Sequence, residues 1–139
     1  AAARQMQTVT SEFLVEEMAV GGIAEVLVGI TRDPTGTFLL TLGAGGVLTE
    51  LLADTASLLL PASPAEIETA LNCLRIGRLL HGYRGKPAAD MQALTDAVIA
   101  ICRYAEAHAG RLLELEVNPL IARVGDAVAV DALIRLEDA

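Results

Sequence analysis

The stretch that most restricts what this chain can fold into is Leu112-Leu113-Glu114-Leu115-Glu116-Val117-Asn118-Pro119-Leu120, joined by a turn at Gly125-Asp126 to a return segment carrying Asp131. At the period of two that a strand imposes, Leu113, Leu115 and Val117 fall on one face and Glu114, Glu116 and Asn118 on the other. The first face suits a core, and the second is a row of oxygen ligands. With Gly125-Asp126 as a two-residue hairpin loop, Leu133 stands across from Asn118 and Asp131 lies one diagonal away on the same face, roughly 7 Å off. One cation could then be held by both side chains.

The 139 residues suit one ordinary domain with a real core. Apolar residues make up 53% and aromatic residues 3%, so the core is aliphatic and stacking on bases is not expected. A net charge of -8 repels nucleic acid and anionic membranes, so neither is expected as a partner. The longest uncharged run, Pro34 to Thr49, contains four glycines and is shorter than the ~18 apolar residues a membrane span needs. The first residues, Ala1 to Gln7, lack the pattern of a signal peptide, which makes the cytoplasm the expected compartment. Cys73 and Cys102 stand far apart with no second ligand at zinc spacing, and both read as buried thiols.

Along the chain, Phe13 to Met18 reads as a strand, Ile23 to Arg32 as a second and Thr37 to Leu42 as a third. In the second, Val26, Val28 and Ile30 share one face, with Glu25, Leu27, Gly29 and Thr31 on the other. Asp33-Pro34-Thr35-Gly36 has the residue order of a type I turn, and Gly43-Ala44-Gly45-Gly46 reads as a loop. Val47 to Leu60 is ambiguous and leans towards short strands. Ser63-Pro64-Ala65-Glu66 is a capping box that starts a helix running to about Leu74. A loop is expected from Arg75 to Pro87. Asp90 then caps a long helix with the apolar stripe Leu94, Val98, Ile101, Cys102 and Ala105, stopped at Gly110. Strands, helix, helix and hairpin in that order predict an α+β domain, with helices packed on a mostly antiparallel sheet.

Several segments together resemble one family. Val15-Glu16-Glu17-Met18, Gly22, Glu25, Val28-Gly29, Arg32-Asp33-Pro34 and Gly43 to Gly46 with Glu50 and Asp54 look like the carboxyl half of an ATP-grasp domain. The version is that of the NDP-forming acyl-CoA synthetases, which include the ADP-forming acetate-CoA ligases and are related to succinyl-CoA synthetase. Leu79-Leu80, Gly82, Arg84-Gly85, Pro87, Asp90, Glu116 to Leu120 and Asp131 continue the match. A departure is Thr35-Gly36-Thr37, where family members often carry Phe-Gly-Pro. The resemblance divides the chain into a lead-in segment or helix from a larger protein, residues 1–12, and an ATP-grasp carboxyl subdomain, residues 13–139.

The resemblance implies an enzyme part that interconverts a carboxylic acid, CoA and ATP with acyl-CoA, ADP and phosphate through an acyl phosphate and a phosphohistidine. Asn118 and Asp131 would be magnesium ligands, and Glu116 the catalytic residue that positions the phosphorylated histidine. Glu17, Met18 and Ala19 resemble the hinge that reads the adenine edge through backbone groups, and Glu25 matches the acid that takes the ribose hydroxyls. Mg2+ and ATP or ADP are thus the expected cofactors. CoA would sit on parts missing from this chain, as would the phosphohistidine, and a homo-oligomer is admitted. The lone lysine, Lys86, is not the phosphate-binding lysine of the missing amino half, so the fragment is expected to be inactive alone. The alternative is a non-catalytic regulatory or interaction module, for instance one attached to a protein acetyltransferase.

Simpler readings stand beside these. A solvated strand face accounts for Asn118 and Asp131 without the resemblance, and for Glu25 as readily as a ribose contact does. Gly43 to Gly46 lacks the Lys-Ser or Lys-Thr of a P-loop and reads as a hinge. Arg84 suits a phosphate or a neighbouring domain equally. His81 and His108 sit at helix ends, where a histidine favours the dipole for ordinary reasons.

Overall fold

Alternation in the second expected strand produces β1 (Ala24–Arg32), with Val26, Val28 and Ile30 completely buried and Glu25 and Thr31 exposed. The structure, a computed structural model, describes residues 6, 9, 10, 12–46 and 54–137. At the end of β1 the Asp33 carbonyl accepts from Gly36 N at 3.0 Å, which closes the expected turn. Asp33 Oδ1 also accepts from the Thr35 and Thr37 amides. The chain returns as β2 (Phe38–Ala44), which ends two residues later than expected. Gly43 and Ala44 therefore belong to the sheet and not to the loop. A side chain on Gly43 would stand 3.0 Å from the Asp54 carbonyl oxygen, so β3 can approach only a glycine there.

β3 (Thr55–Leu59) pairs with β2 and bears out the lean towards strands in that region, although residues 47–53 of the ambiguous segment lie outside the described residues. The expected first strand, Phe13 to Met18, is not one. It makes no ladder among the described residues, and Leu14, Val15 and Met18 are exposed. A strand without a hydrogen-bonded neighbour has nothing to hold it extended. Most of the lead-in segment 1–12 falls outside the described residues.

The capping box at Ser63 and Glu66 starts α1 (Pro64–Cys73) as predicted. Within the expected loop a short helix, α2 (Gly77–Leu80), buries Leu80. Its shortness and its two neighbouring glycines hid it from a periodicity reading. Asp90 caps α3 (Met91–Ala107) through its side chain, and Leu94, Val98, Cys102 and Ala105 are buried along it. β4 (Leu112–Ala122), β5 (Ala127–Ala129) and β6 (Ala132–Leu136) complete an antiparallel sheet of order β3-β2-β1-β4-β5, with β6 also on β4.

The α+β class is as expected. The core joins Val26, Val28, Ile30, Leu40 and Leu42 of the sheet to Ile67, Leu71, Leu80, Leu94 and Val98 of the helices. The other face of the sheet carries Glu25, Gly29, Thr31, Thr41, Ser57, Glu114 and Glu116, all exposed or half-buried. Leu112, not Leu113, is the fully buried residue at the start of β4, because the β4–β6 register shifts between Leu112 and Glu114. Cys102 is buried as expected, but Cys73 is exposed. Among the described residues no helix is long and apolar enough to cross a membrane.

Candidate functional site

Val28 pairs with Val117 and Val26 with Leu120, so Asn118 and Pro119 together oppose Leu27. This is a bulge, and Pro119 explains its place, since a residue without an N–H cannot serve a regular ladder position. The bulge turns Asn118 out on the polar face beside Glu116.

The closing turn differs from expectation by one residue. Arg123 N donates to the Asp126 carbonyl at 2.9 Å and the Arg123 side chain pairs with Asp126 at 2.6 Å, which leaves Val124-Gly125 as the loop. Leu133 consequently faces Glu116, and Asn118 N donates to the Asp131 carbonyl at 3.2 Å. Asp131 is thus directly opposite Asn118 and not one diagonal away. Moving the turn by one residue moves the register by two, which preserves the face. Asn118 and Asp131 therefore still share one face of the hairpin, now at directly opposed positions.

Asn118 Oδ1 accepts from Gly46 N at 2.9 Å, and Asn118 Nδ2 makes a long contact of 3.5 Å with Glu116 Oε1. Asp131 Oδ1 accepts from Ala132 N at 2.8 Å. Among the described residues no group of three or more His, Cys, Asp or Glu side chains is arranged to hold a metal. What this part of the polar face carries is the Asn118 amide oxygen beside Glu116, with Asp131 at the opposed position on the neighbouring chain segment. That set fits magnesium, which takes hard oxygens, keeps several waters and completes its shell with substrate phosphates. An amide oxygen with two lone pairs can serve both Gly46 and a cation.

Where β1 begins and β2 ends there is a pocket of about 440 Å³, lined by Ala19, Gly22, Glu25, Gly45, Ile76, Leu79 and Ile121 among others. Glu25 is its acidic group, while Ile76, Leu79 and Ile121 give aliphatic walls of the kind a flat heterocycle packs against. The loop after β2 links this pocket to the hairpin. Gly45 N donates to the Glu25 carbonyl at 2.8 Å, and Gly46 reaches Asn118. Ala19, Glu25, Gly45, Gly46, Asn118, Glu116 and Asp131 therefore form one continuous strip from pocket to hairpin.

The family model described as the ATP-grasp domain matches residues 1–136. The chain belongs to the ATP-grasp family. Among ATP-grasp relatives it is 29% identical over 115 residues to the acetate-CoA ligase (ADP-forming) II subunit beta of Pyrococcus furiosus, covering 81% of this chain and 49% of that subunit. It is 33% identical over 126 residues to a trans-feruloyl-CoA synthase of an unknown prokaryotic organism, covering 89% of this chain and 18% of that one. A solved structure of the dinucleotide-forming acetyl-coenzyme A synthetase 1 of Candidatus Korarchaeum cryptofilum superposes with a TM-score of 0.80 at 32% identity, covering 87% of this chain and 56% of that chain. That protein is in complex with coenzyme A and Mg-AMPPCP, with its phosphohistidine segment pointing towards the nucleotide binding site. The chain thus spans about half the length of the shorter relatives and under a fifth of the longer one. The ATP-grasp resemblance read from the motifs, including the acyl-CoA synthetase type, is borne out.

Of the residues expected to form the hinge, Ala19 lines the pocket, whereas Glu17 and Met18 turn their side chains to solvent. Glu50 lies outside the described residues, and Asp54 caps the backbone N–H of Arg75 at 2.6 Å. His81 pairs with Asn72 at 2.6 Å, while His108 Nδ1 meets the Tyr104 carbonyl at 2.8 Å and its ring stacks on Tyr104. Both histidines thus have local partners at helix ends. Arg84 is exposed, with its guanidinium over the Tyr83 ring. Sequence reasoning missed Ile76, Leu79 and Ile121 as pocket walls and Gly46 as a partner of Asn118. The Leu79-Leu80 pair was visible as a family segment, but a contact across 72 residues leaves no mark in one sequence.

Proposed function

We propose that this chain is the nucleotide- and magnesium-binding part of an NDP-forming acyl-CoA synthetase of the cytoplasm. The whole enzyme would interconvert a carboxylic acid, CoA and ATP with acyl-CoA, ADP and phosphate through an acyl phosphate and a phosphohistidine. The observation that carries this reading is the continuous strip from the pocket through Gly45 and Gly46 to Asn118 and Asp131. A nucleoside at one end and its phosphates at the other would span it. CoA and the phosphohistidine would come from domains or subunits of the rest of the protein, as the lengths of the relatives suggest.

In this reading the aliphatic walls of Ile76, Leu79 and Ile121 take the base, and backbone groups around Glu17, Met18 and Ala19 read its edge. Glu25 accepts hydrogen bonds from the ribose hydroxyls. Asn118 and Asp131 hold magnesium, which offsets the charge that develops as the phosphoryl group moves. Glu116, one pleat from Asn118, accepts a hydrogen bond from the far nitrogen of an incoming imidazole and fixes its tautomer. The carboxylates of Glu25, Glu116 and Asp131 repel free phosphates, so nucleotide binding is expected to need the cation. In the full-length protein, Asn118→Ala and Asp131→Ala should each abolish magnesium-dependent protection of the chain by ADP. Protection equal to that of the unaltered protein in both variants would remove the metal assignment.

A further inference from the structure

Gly46 touches both ends of the strip. Its N–H donates to Asn118 Oδ1 at 2.9 Å. Its φ is +64°, and the Glu25 carboxylate rests where a side chain on Gly46 would have to go. Glycine adopts that φ freely, and a Cβ there would push the Glu25 carboxylate out of its place. The preceding residue seats the loop firmly, because a Cβ on Gly45 would stand 2.8 Å from the Val26 carbonyl carbon.

We propose that Gly46 is a positioning residue that couples the nucleoside end of the site to its metal end, so that nucleoside and divalent metal bind cooperatively through the protein itself. The Gly46 N–H fixes which side-chain atom of Asn118 is the oxygen and where its second lone pair points. A metal drawing on that lone pair therefore restrains Gly46. Restraint at Gly46 in turn restrains the Glu25 carboxylate lying against it, which is the group the ribose hydroxyls must meet. Linkage is reciprocal, so a nucleoside that orders Glu25 must favour the metal by the same factor. This inference rests on the nucleotide and magnesium reading above, but that reading does not require it, since a nucleotide bridging the two ends could link them without any help from Gly46.

Adenosine separates the two cases because it has no phosphate to carry metal. In calorimetric titrations of the full-length protein, adenosine should bind roughly fivefold or more tightly in saturating magnesium than in chelator at matched ionic strength. In Gly46→Ala that ratio should fall to about one, with the thermal transition recorded to show that the variant is folded. Glu25→Ala alters an exposed side chain and leaves Gly46 in place, which guards against a folding defect in the glycine variant. It should weaken adenosine more in magnesium than in chelator, so that the ratio falls there as well. A ratio of one in the unaltered protein, a ratio kept in folded Gly46→Ala, or an equal loss with and without magnesium in Glu25→Ala would overturn the coupling. Failure of the underlying reading looks different: Asn118→Ala and Asp131→Ala would then leave magnesium-dependent ADP binding intact.

Discussion

The two cysteines, far apart in sequence and alike in their helical context, behave as opposites at the residue scale. Cys102 faces the core from α3, where burial, and secondarily the neighbouring Glu106 charge, push its thiol up to about 11. Cys73 is exposed near the end of α1. Since the thiolate is the reactive form, one thiol per chain should react with a disulfide reagent at pH 8 in the native protein and two after denaturation. Fast native reaction of both would place Cys102 outside the core. Sequence reasoning treated the pair alike because burial is a property of a helix face, and the end of α1 carries too few apolar positions to assign one. Asp33 was legible by contrast. The Thr35 hydroxyl first, then the Thr37, Thr35 and Gly36 amides, hold its carboxyl below the ordinary 3.8, as a turn-capping aspartate requires.

At the scale of elements, local chemistry predicted what local chemistry decides. The Ser63 capping box, the Asp33 turn, the β1 alternation and the Asp90 cap each confine their determinants to a few adjacent residues, and each element formed where those residues lie. The failures have distant causes. Phe13 to Met18 has strand-like residues but no partner among the described residues, and α2 is held by burial of Leu80 rather than by its own periodicity. The β4 register depended on which residues filled the turn. The Arg123–Asp126 pair decided it.

The candidate site was legible in part for the same reason. That Asn118 and Asp131 share a face follows from parity along a hairpin, which tolerates the two-residue error, whereas the pocket walls depend on where α2 lands. Because α3 is the longest helix and its stripe contacts both the sheet and α1, it should dominate stability. Leu94 is completely buried there, and Leu94→Ala should destabilise the chain by about 3 kcal/mol through lost burial and a residual cavity. Urea denaturation would show this as a lower midpoint with an unchanged slope. A loss below about 1 kcal/mol would mean that the site collapses around the gap, which a well-packed core does not readily allow.

At the scale of the whole molecule, the sheet has one face sealed by helices and one polar face that carries the strip. Such a face can bind a nucleotide from one side only. In the proposed reading water would reach the phosphates from the other, and the high dielectric would weaken their interactions with Glu116, Asn118 and Asp131. Phosphoryl transfer draws most of its acceleration from positioning and from charge stabilisation in a site that excludes water. A single wall supplies neither in full. The 139-residue polypeptide by itself should therefore bind Mg-ADP more weakly than the full-length protein and form no acyl-CoA from acid, CoA and ATP. Both are measurable, the first by calorimetry and the second by the thioester absorbance. Acyl-CoA formation by the isolated polypeptide would show that this face completes its own site, and the assignment of CoA and phosphohistidine to the rest of the protein would have to be abandoned.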